Sequence, residues 1–137
     1  MKYYAVIDTN VIVSALLKKG SVPYQVLELM LKGIIVPLLD QRIVDEYRDV
    51  LSRNKFGFEL ETIEAIINAI VEKSIFVDNE KTITDFIDED DVVFYEIVMT
   101  AREYTDAYLV TGNKKHFPFK SFVVTPREML DIIQTNK

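Results

Sequence analysis

The chain alternates short apolar runs with segments whose apolar positions recur every three or four residues. Tyr3-Tyr4-Ala5-Val6-Ile7 is a β-branched and aromatic run that predicts a buried strand. It ends abruptly in Asp8-Thr9-Asn10, after which Val11, Ile12, Ala15 and Leu16 follow helical spacing, predicting a short helix over 11–18. Gly20, Ser21 and Pro23 break that helix, and a Ser-x-Pro start opens a second one over 24–32, closed by Gly33. Ile34 to Leu39 predicts a short strand, whose Pro37 suggests a strand end or the periphery of a sheet. Asp40 suits the N-cap of the next helix, which carries Ile43, Val44, Tyr47, Val50 and Leu51 on one side. A loop over 54–58 leads to an amphipathic helix over 59–73, a brief strand over 74–77 and a polar connection over 78–84. After the acidic stretch 85–91 comes a heavily apolar helix, then strands over 107–111 and 122–124. Thr125-Pro126 opens the last helix, as N-cap and first-turn proline, running to about Ile133.

Strands that alternate with helices argue for a parallel sheet covered on both faces. The expectation is one domain over 1–137, an α/β fold: a three-layer α/β/α sandwich around a mostly parallel sheet of four to five strands. Such sheets place ligands outside the carboxyl ends of their strands. Asp8 stands at one such end and Asn113 just beyond another, while Asp90 and Asp91 open the helix before the 107–111 strand. Glu46 lies in the helix after the 34–39 strand. Carboxylates gathered at one rim repel one another unless a cation sits between them.

Composition narrows the chemistry. The chain has no cysteine and one histidine, His116, which excludes thiol nucleophiles, disulfides and a His-rich zinc site. Oxygen ligands remain, favouring Mg²⁺ or Mn²⁺. The formal charge of −6 is unlike that of a strongly basic nucleic-acid binder, so a polyanionic substrate would need cations or a basic partner. No apolar run reaches the ~18 residues of a membrane span, and the first residues enter a strand without a secretory leader, compatible with a cytoplasmic protein.

These segments resemble the PIN domain, a nuclease fold found in many prokaryotic toxin–antitoxin toxins. Val6-Ile7-Asp8-Thr9-Asn10 is similar to its opening strand, and Asp45-Glu46 to its second acidic position. Asp88-Glu89-Asp90-Asp91-Val92-Val93-Phe94 is similar to its acidic helix start, and Thr105 to Asn113 to its fourth strand and turn. The resemblance implies a Mg²⁺- or Mn²⁺-dependent ribonuclease with Asp8, Glu46 and Asp91 as its acidic core. Asn113 stands where a fourth acid is usual, so it would add a ligand without adding charge. Thr9, Asn10 and Thr111 would hold the ligands or the phosphate, with Asp88 and Asp106 as further substrate-side or supporting acids. The implied hydrolysis works without a histidine, the leaving oxygen taking its proton from the metal's water.

The same resemblance implies an RNA substrate, an antitoxin partner and a homodimer, with Tyr24, Tyr47 and Tyr95 as candidate dimer surface. Lys18, Lys19, Arg42, Arg48, Lys114, Lys115 and His116 are candidate RNA contacts. Two alternatives stand beside this reading. One is a PIN fold that binds nucleic acid or protein without cutting, Asn113 marking a decayed site. The other is a receiver-like domain, against which the lack of a suitably placed lysine and the helix acid Glu46 both argue. Asp8 could also be a plain N-cap, and Asp45 and Asp49 compete with Glu46 for its position.

Overall fold

A computed structural model describes residues 1–78 and 89–136, and of residues 89 and 90 the backbone only. Strand β1 (Tyr3–Ile7) leads into helices α1 (Thr9–Leu17) and α2 (Val22–Leu31), then β2 (Ile35–Leu39), α3 (Gln41–Leu51) and α4 (Leu60–Lys73). Strand β3 (Ile75–Phe76), helix α5 (Glu89–Ala101), β4 (Tyr108–Val110), β5 (Val123–Val124) and α6 (Pro126–Thr135) follow. Among the described residues the strands form one sheet in the order β3-β2-β1-β4-β5, and every pairing is parallel.

The apolar runs explain why the sheet is sandwiched. All five residues of β2 are buried, as are Ala5, Val6 and Ile7 of β1, so side chains of both parities are out of water and both faces must be covered. Helix α5 packs over β1, β2 and β4 and against α3, while α2 packs against β2, α1, α4 and α6. The expected three-layer α/β/α arrangement is therefore present, with five strands among the described residues.

Local signals act as their chemistry requires. The Ser21 hydroxyl accepts from the Tyr24 N–H at 3.3 Å and the Asp40 carboxylate from the Ile43 N–H at 3.0 Å, each starting a helix. Thr125 and Glu128 form a reciprocal capping box at the start of α6. Gly33 has φ of 80°, which lets α2 turn sharply into β2.

Pro37 corrects the expectation drawn from it. It is not peripheral: β2 lies between β1 and β3, and Pro37 pairs with Ala5. Backbone groups alternate sides along a strand, and the Leu39 carbonyl accepts from the Val77 N–H at 2.8 Å on the β3 side. Pro37, two residues earlier, points the same way, but β3 begins only opposite Leu38. The missing N–H faces a place where no strand asks for it.

Candidate active site

The chain runs outward from β1 to β3 and then returns to add β4 on the other side of β1. The carboxyl ends of β1 and β4 are thus the switch point of the sheet, where α/β folds open a crevice. Asp8 follows β1 there, and its N–H donates to the Val110 carbonyl at 2.9 Å. Although Asp8 occupies the N-cap position of α1, its side chain makes no capping hydrogen bond. Its Oδ2 instead accepts from the Thr111 hydroxyl at 2.7 Å and from Asn10 Nδ2 at 3.1 Å. Asn10 Oδ1 in turn accepts from the Gly112 N–H at 3.1 Å, so one amide ties the end of β1 to the turn after β4.

Asp8 and Thr111 are buried. Burial pushes the Asp8 carboxyl above its ordinary range; the Thr111 hydroxyl, the N–H groups of Asn10 and Thr9, and His116 pull it partly back. Behind it the Tyr47 hydroxyl donates to the Ile7 carbonyl at 2.5 Å. Burial, and then the nearby Asp8 charge, raise the Tyr47 phenol well above its usual value, so it stays a neutral donor. Tyr47 and Tyr95 are both buried, which removes them from the expected dimer surface.

Across the crevice the lone histidine joins the site. His116 Nδ1 lies 3.2 Å from Asp91 Oδ2, and Nε2 lies 2.9 Å from Asn113 Nδ2. The Asn113 N–H donates to the Thr111 hydroxyl oxygen at 3.0 Å, closing a chain of contacts from Asp8 through Thr111 and Asn113 to His116 and Asp91. The expectation of a site without histidine is corrected: His116 lies three residues after Asn113, and a short 3₁₀ turn at Lys114–His116 brings its ring back over the asparagine.

Glu46 is partly buried on α3 beside Tyr47; none of the hydrogen bonds just described involves it. Its competitors point elsewhere, Asp45 accepting from Gln41 and Asp49 pairing with Arg53 at 3.4 Å. Thr9 is buried at the start of α1, and its Oγ1 has no hydrogen-bond partner among the described residues. Asp106 is exposed and precedes β4, at the opposite edge of the sheet. At ~3.3 Å per residue it stands about 13 Å from the rim and drops out of the site. Asp88 lies outside the described residues, as does the Asp90 side chain. Among the described residues no three Asp, Glu or His side chains stand close enough to hold one metal ion.

Several expected RNA contacts are occupied within the fold. Arg42 bridges Asp40 at 2.7 Å and the buried Glu96 of α5 at 2.8 Å; Arg48 pairs with Glu64 at 3.1 Å, and Lys114 with Glu128 at 3.0 Å. The Arg42–Glu96 pair joins α3, which carries Glu46, to α5, which carries Asp91. Glu96 escapes sequence reasoning; the only signal is an acid set among Phe94, Tyr95, Ile97 and Val98, all buried.

The family model of the PIN domain matches residues 4–115. The chain belongs to the PIN-domain family. No curated protein and no solved structure matches it. PIN domains are in general nucleases that act on nucleic acid and typically use divalent metal ions. In this PIN domain no helix among the described residues is long and apolar enough to cross a membrane.

Proposed function

We propose that this PIN domain is a Mg²⁺- or Mn²⁺-dependent endoribonuclease. The observation that carries the reading is the buried Asp8 carboxylate at the sheet's switch point, held by Thr111 and Asn10 in a setting that disfavours its charge. The donors present suit a hard cation: carboxylate, hydroxyl and amide oxygens, including the buried Thr9 Oγ1 without a partner. A bound divalent cation supplies a Lewis acid and an activated water for phosphodiester hydrolysis.

The chain's own residues divide the work. Both side-chain hydrogen bonds to Asp8 land on Oδ2, which leaves Oδ1 to a cation. Asp91 and the carbonyl oxygen of Asn113 complete the ligand set from α5 and the turn after β4. Glu46 positions the nucleophilic water, and Thr111 and Asn10 keep Asp8 oriented. The strand of RNA crosses the segment after Asn113. In a chain of charge −6, Lys114 to Lys120 holds three lysines and no acid. Lys115, the 95 % exposed Phe119 and Lys120 line a hollow of about 270 Å³ there. Lysines beside an exposed ring suit phosphates and an unpaired base.

Within this reading the protein is the toxin of a toxin–antitoxin pair, a cytoplasmic homodimer restrained by an antitoxin; the likeness of motifs supports that part. Incubating the purified protein and its Asp8→Asn variant with single-stranded RNA and Mn²⁺ tests the activity. Cleavage should require the cation and vanish in a variant that still melts cooperatively. Absence of cleavage by the wild-type protein refutes the nuclease. Asn113 in place of an acid favours the second reading, a PIN fold that binds without cutting; it requires a melting temperature unmoved by Mn²⁺.

A further inference from the structure

We propose that Phe119 is a specificity residue: one unpaired base of the RNA stacks on its ring while Lys115 and Lys120 hold the neighbouring phosphates. The inference deepens the RNA-binding part of the reading above and rests on it. It starts from the tripeptide Phe117-Pro118-Phe119, whose two rings meet opposite fates: Phe117 is 6 % exposed and Phe119 95 %. Taking a phenylalanine side chain out of water is among the larger gains open to a folding chain, and Phe119 forgoes it. The loop that carries the ring is braced on both sides. The Phe117 N–H donates to the Lys114 carbonyl at 3.1 Å and its ring joins the core, Pro118 fixes the main chain before Phe119, and the Val123 N–H donates to the Lys120 carbonyl at 3.1 Å. The charges around the ring suit a polyanion. Lys114 is tied to Glu128 at 3.0 Å, whereas Lys115 and Lys120 are exposed and make no ion pair among the described residues. The hollow beside the ring, about 270 Å³ with Phe117, Pro118 and Val123 in its wall, is at the small end of ligand sites and admits one ring system rather than a helix or a strand. A base inside a duplex has both faces covered, so only an unpaired one can offer a face to Phe119. At ~2.0 Å per residue through the 3₁₀ turn and ~3.3 Å beyond it, Phe119 stands within about 16 Å of Asn113, which places the stacked base a few nucleotides from the scissile phosphate. The ring lies beyond residues 4–115, the stretch that the family model matches, so the family likeness does not carry it.

Binding of a labelled single-stranded RNA and of its duplex to the intact protein, by fluorescence anisotropy without divalent cation, tests the stack without reference to cleavage. Base–aromatic stacking predicts that Phe119→Ala weakens single-strand binding by about tenfold and leaves duplex binding unchanged. Titrations between about 50 and 200 mM salt separate the ring from the charges. Lys115→Gln with Lys120→Gln should reduce the slope of log affinity against log salt by about 1.4, and Phe119→Ala should leave that slope as it is. The chain has no tryptophan, so Phe119→Trp puts a lone indole on the loop. That variant should keep wild-type affinity, and the single strand, but not the duplex, should quench its emission. Single-strand affinity within about twofold of wild type in Phe119→Ala overturns the proposal and leaves the nuclease reading intact. An equal loss on both RNAs overturns it too, since a base inside a duplex has no face to lose. If Phe119→Ala changes self-association in sedimentation while RNA affinity holds, the ring belongs to a protein interface and the proposal falls. A wild-type protein that binds neither RNA overturns the stack together with the RNA-binding part of the reading, whereas binding without cleavage in Mn²⁺ overturns the nuclease alone.

Discussion

Replacing Thr111 by valine keeps the shape of a fully buried side chain and removes one oxygen. That oxygen donates to Asp8 Oδ2 at 2.7 Å and accepts from the Asn113 N–H at 3.0 Å. A hydrogen bond to a charged group is worth about 1.5–3 kcal/mol and a neutral one about 1 kcal/mol, while the added buried methyl returns about 0.8 kcal/mol. Thr111→Val should therefore cost about 2 kcal/mol, which for a domain of this size lowers the melting temperature by roughly 6–10 °C. The loss should also depend on pH. Burial raises the Asp8 carboxyl above 3.8 in the folded protein, so ionised Asp8 subtracts from stability above its folded pKa. That penalty disappears as the pH falls through the folded value to 3.8 and below. Removing a hydroxyl that supports the charged form enlarges the penalty, so the Thr111→Val deficit is largest near neutrality and shrinks in acid. Urea unfolding of both proteins without divalent cation, at about pH 7.5 and about pH 4, measures it. In the Asp8→Asn background the same substitution should cost at least about 1 kcal/mol less. A deficit equal at both pH values, or below about 0.5 kcal/mol at neutrality, refutes the account of Asp8 as a buried charge leaning on Thr111.

Other perturbations probe the frame around the site. An added Cβ at Gly112 would lie 3.3 Å from Asn10 Oδ1. Gly112→Ala should therefore displace the amide, lower stability by about 1 kcal/mol and reduce RNA cleavage more than it reduces folding, measured by melts and rates on one preparation. Tyr47→Phe strips the Ile7 carbonyl of a buried donor and should cost about 1–2 kcal/mol in urea unfolding, with no change in the fold by circular dichroism. Arg42→Met leaves Glu96 buried without its guanidinium and should destabilise by about 2–3 kcal/mol. The double variant with Glu96→Leu should regain most of that loss; strict additivity would show that the pair does not couple α3 to α5. At the far end, Thr125→Ala should cost about 1 kcal/mol. Glu128 has its carboxyl held below its usual range first by the Thr125 N–H, which alanine keeps, and then by Lys114, so Glu128→Gln is the variant that removes this stabilisation. It is present above pH 4.5 and fades as pH falls through the folded value, so the Glu128→Gln deficit should narrow in acid.

What the sequence makes legible is what local chemistry decides. The β-branched run ending in Asp8, the caps at Ser21, Asp40 and Thr125, and the alternation of strands with helices each report on neighbours within a few residues. They suffice for the sheet and for the place of Asp8 and Thr111 at its rim. Contacts between remote side chains leave no such trace. Glu96 finds Arg42 across 54 positions, and His116 meets Asp91 only because α5 and the turn after β4 share a crevice. Tyr47 and Tyr95 look amphipathic in sequence, yet the helix packing closes over them. Pro37 reads as peripheral because the rule concerns a donor in a ladder, and only the register shows that no ladder reaches it.

That register bears on how the molecule avoids sticking to itself. An outermost strand lengthens most readily where its neighbour offers both a donor and an acceptor, and beside the start of β3 Pro37 has a carbonyl but no N–H to give. The rim of the sheet on that side is thus kept stubby from within, by the strand beneath rather than by charges placed on the rim itself. A foreign β-segment arriving there would find two residues to zip against, too few to seed a growing stack.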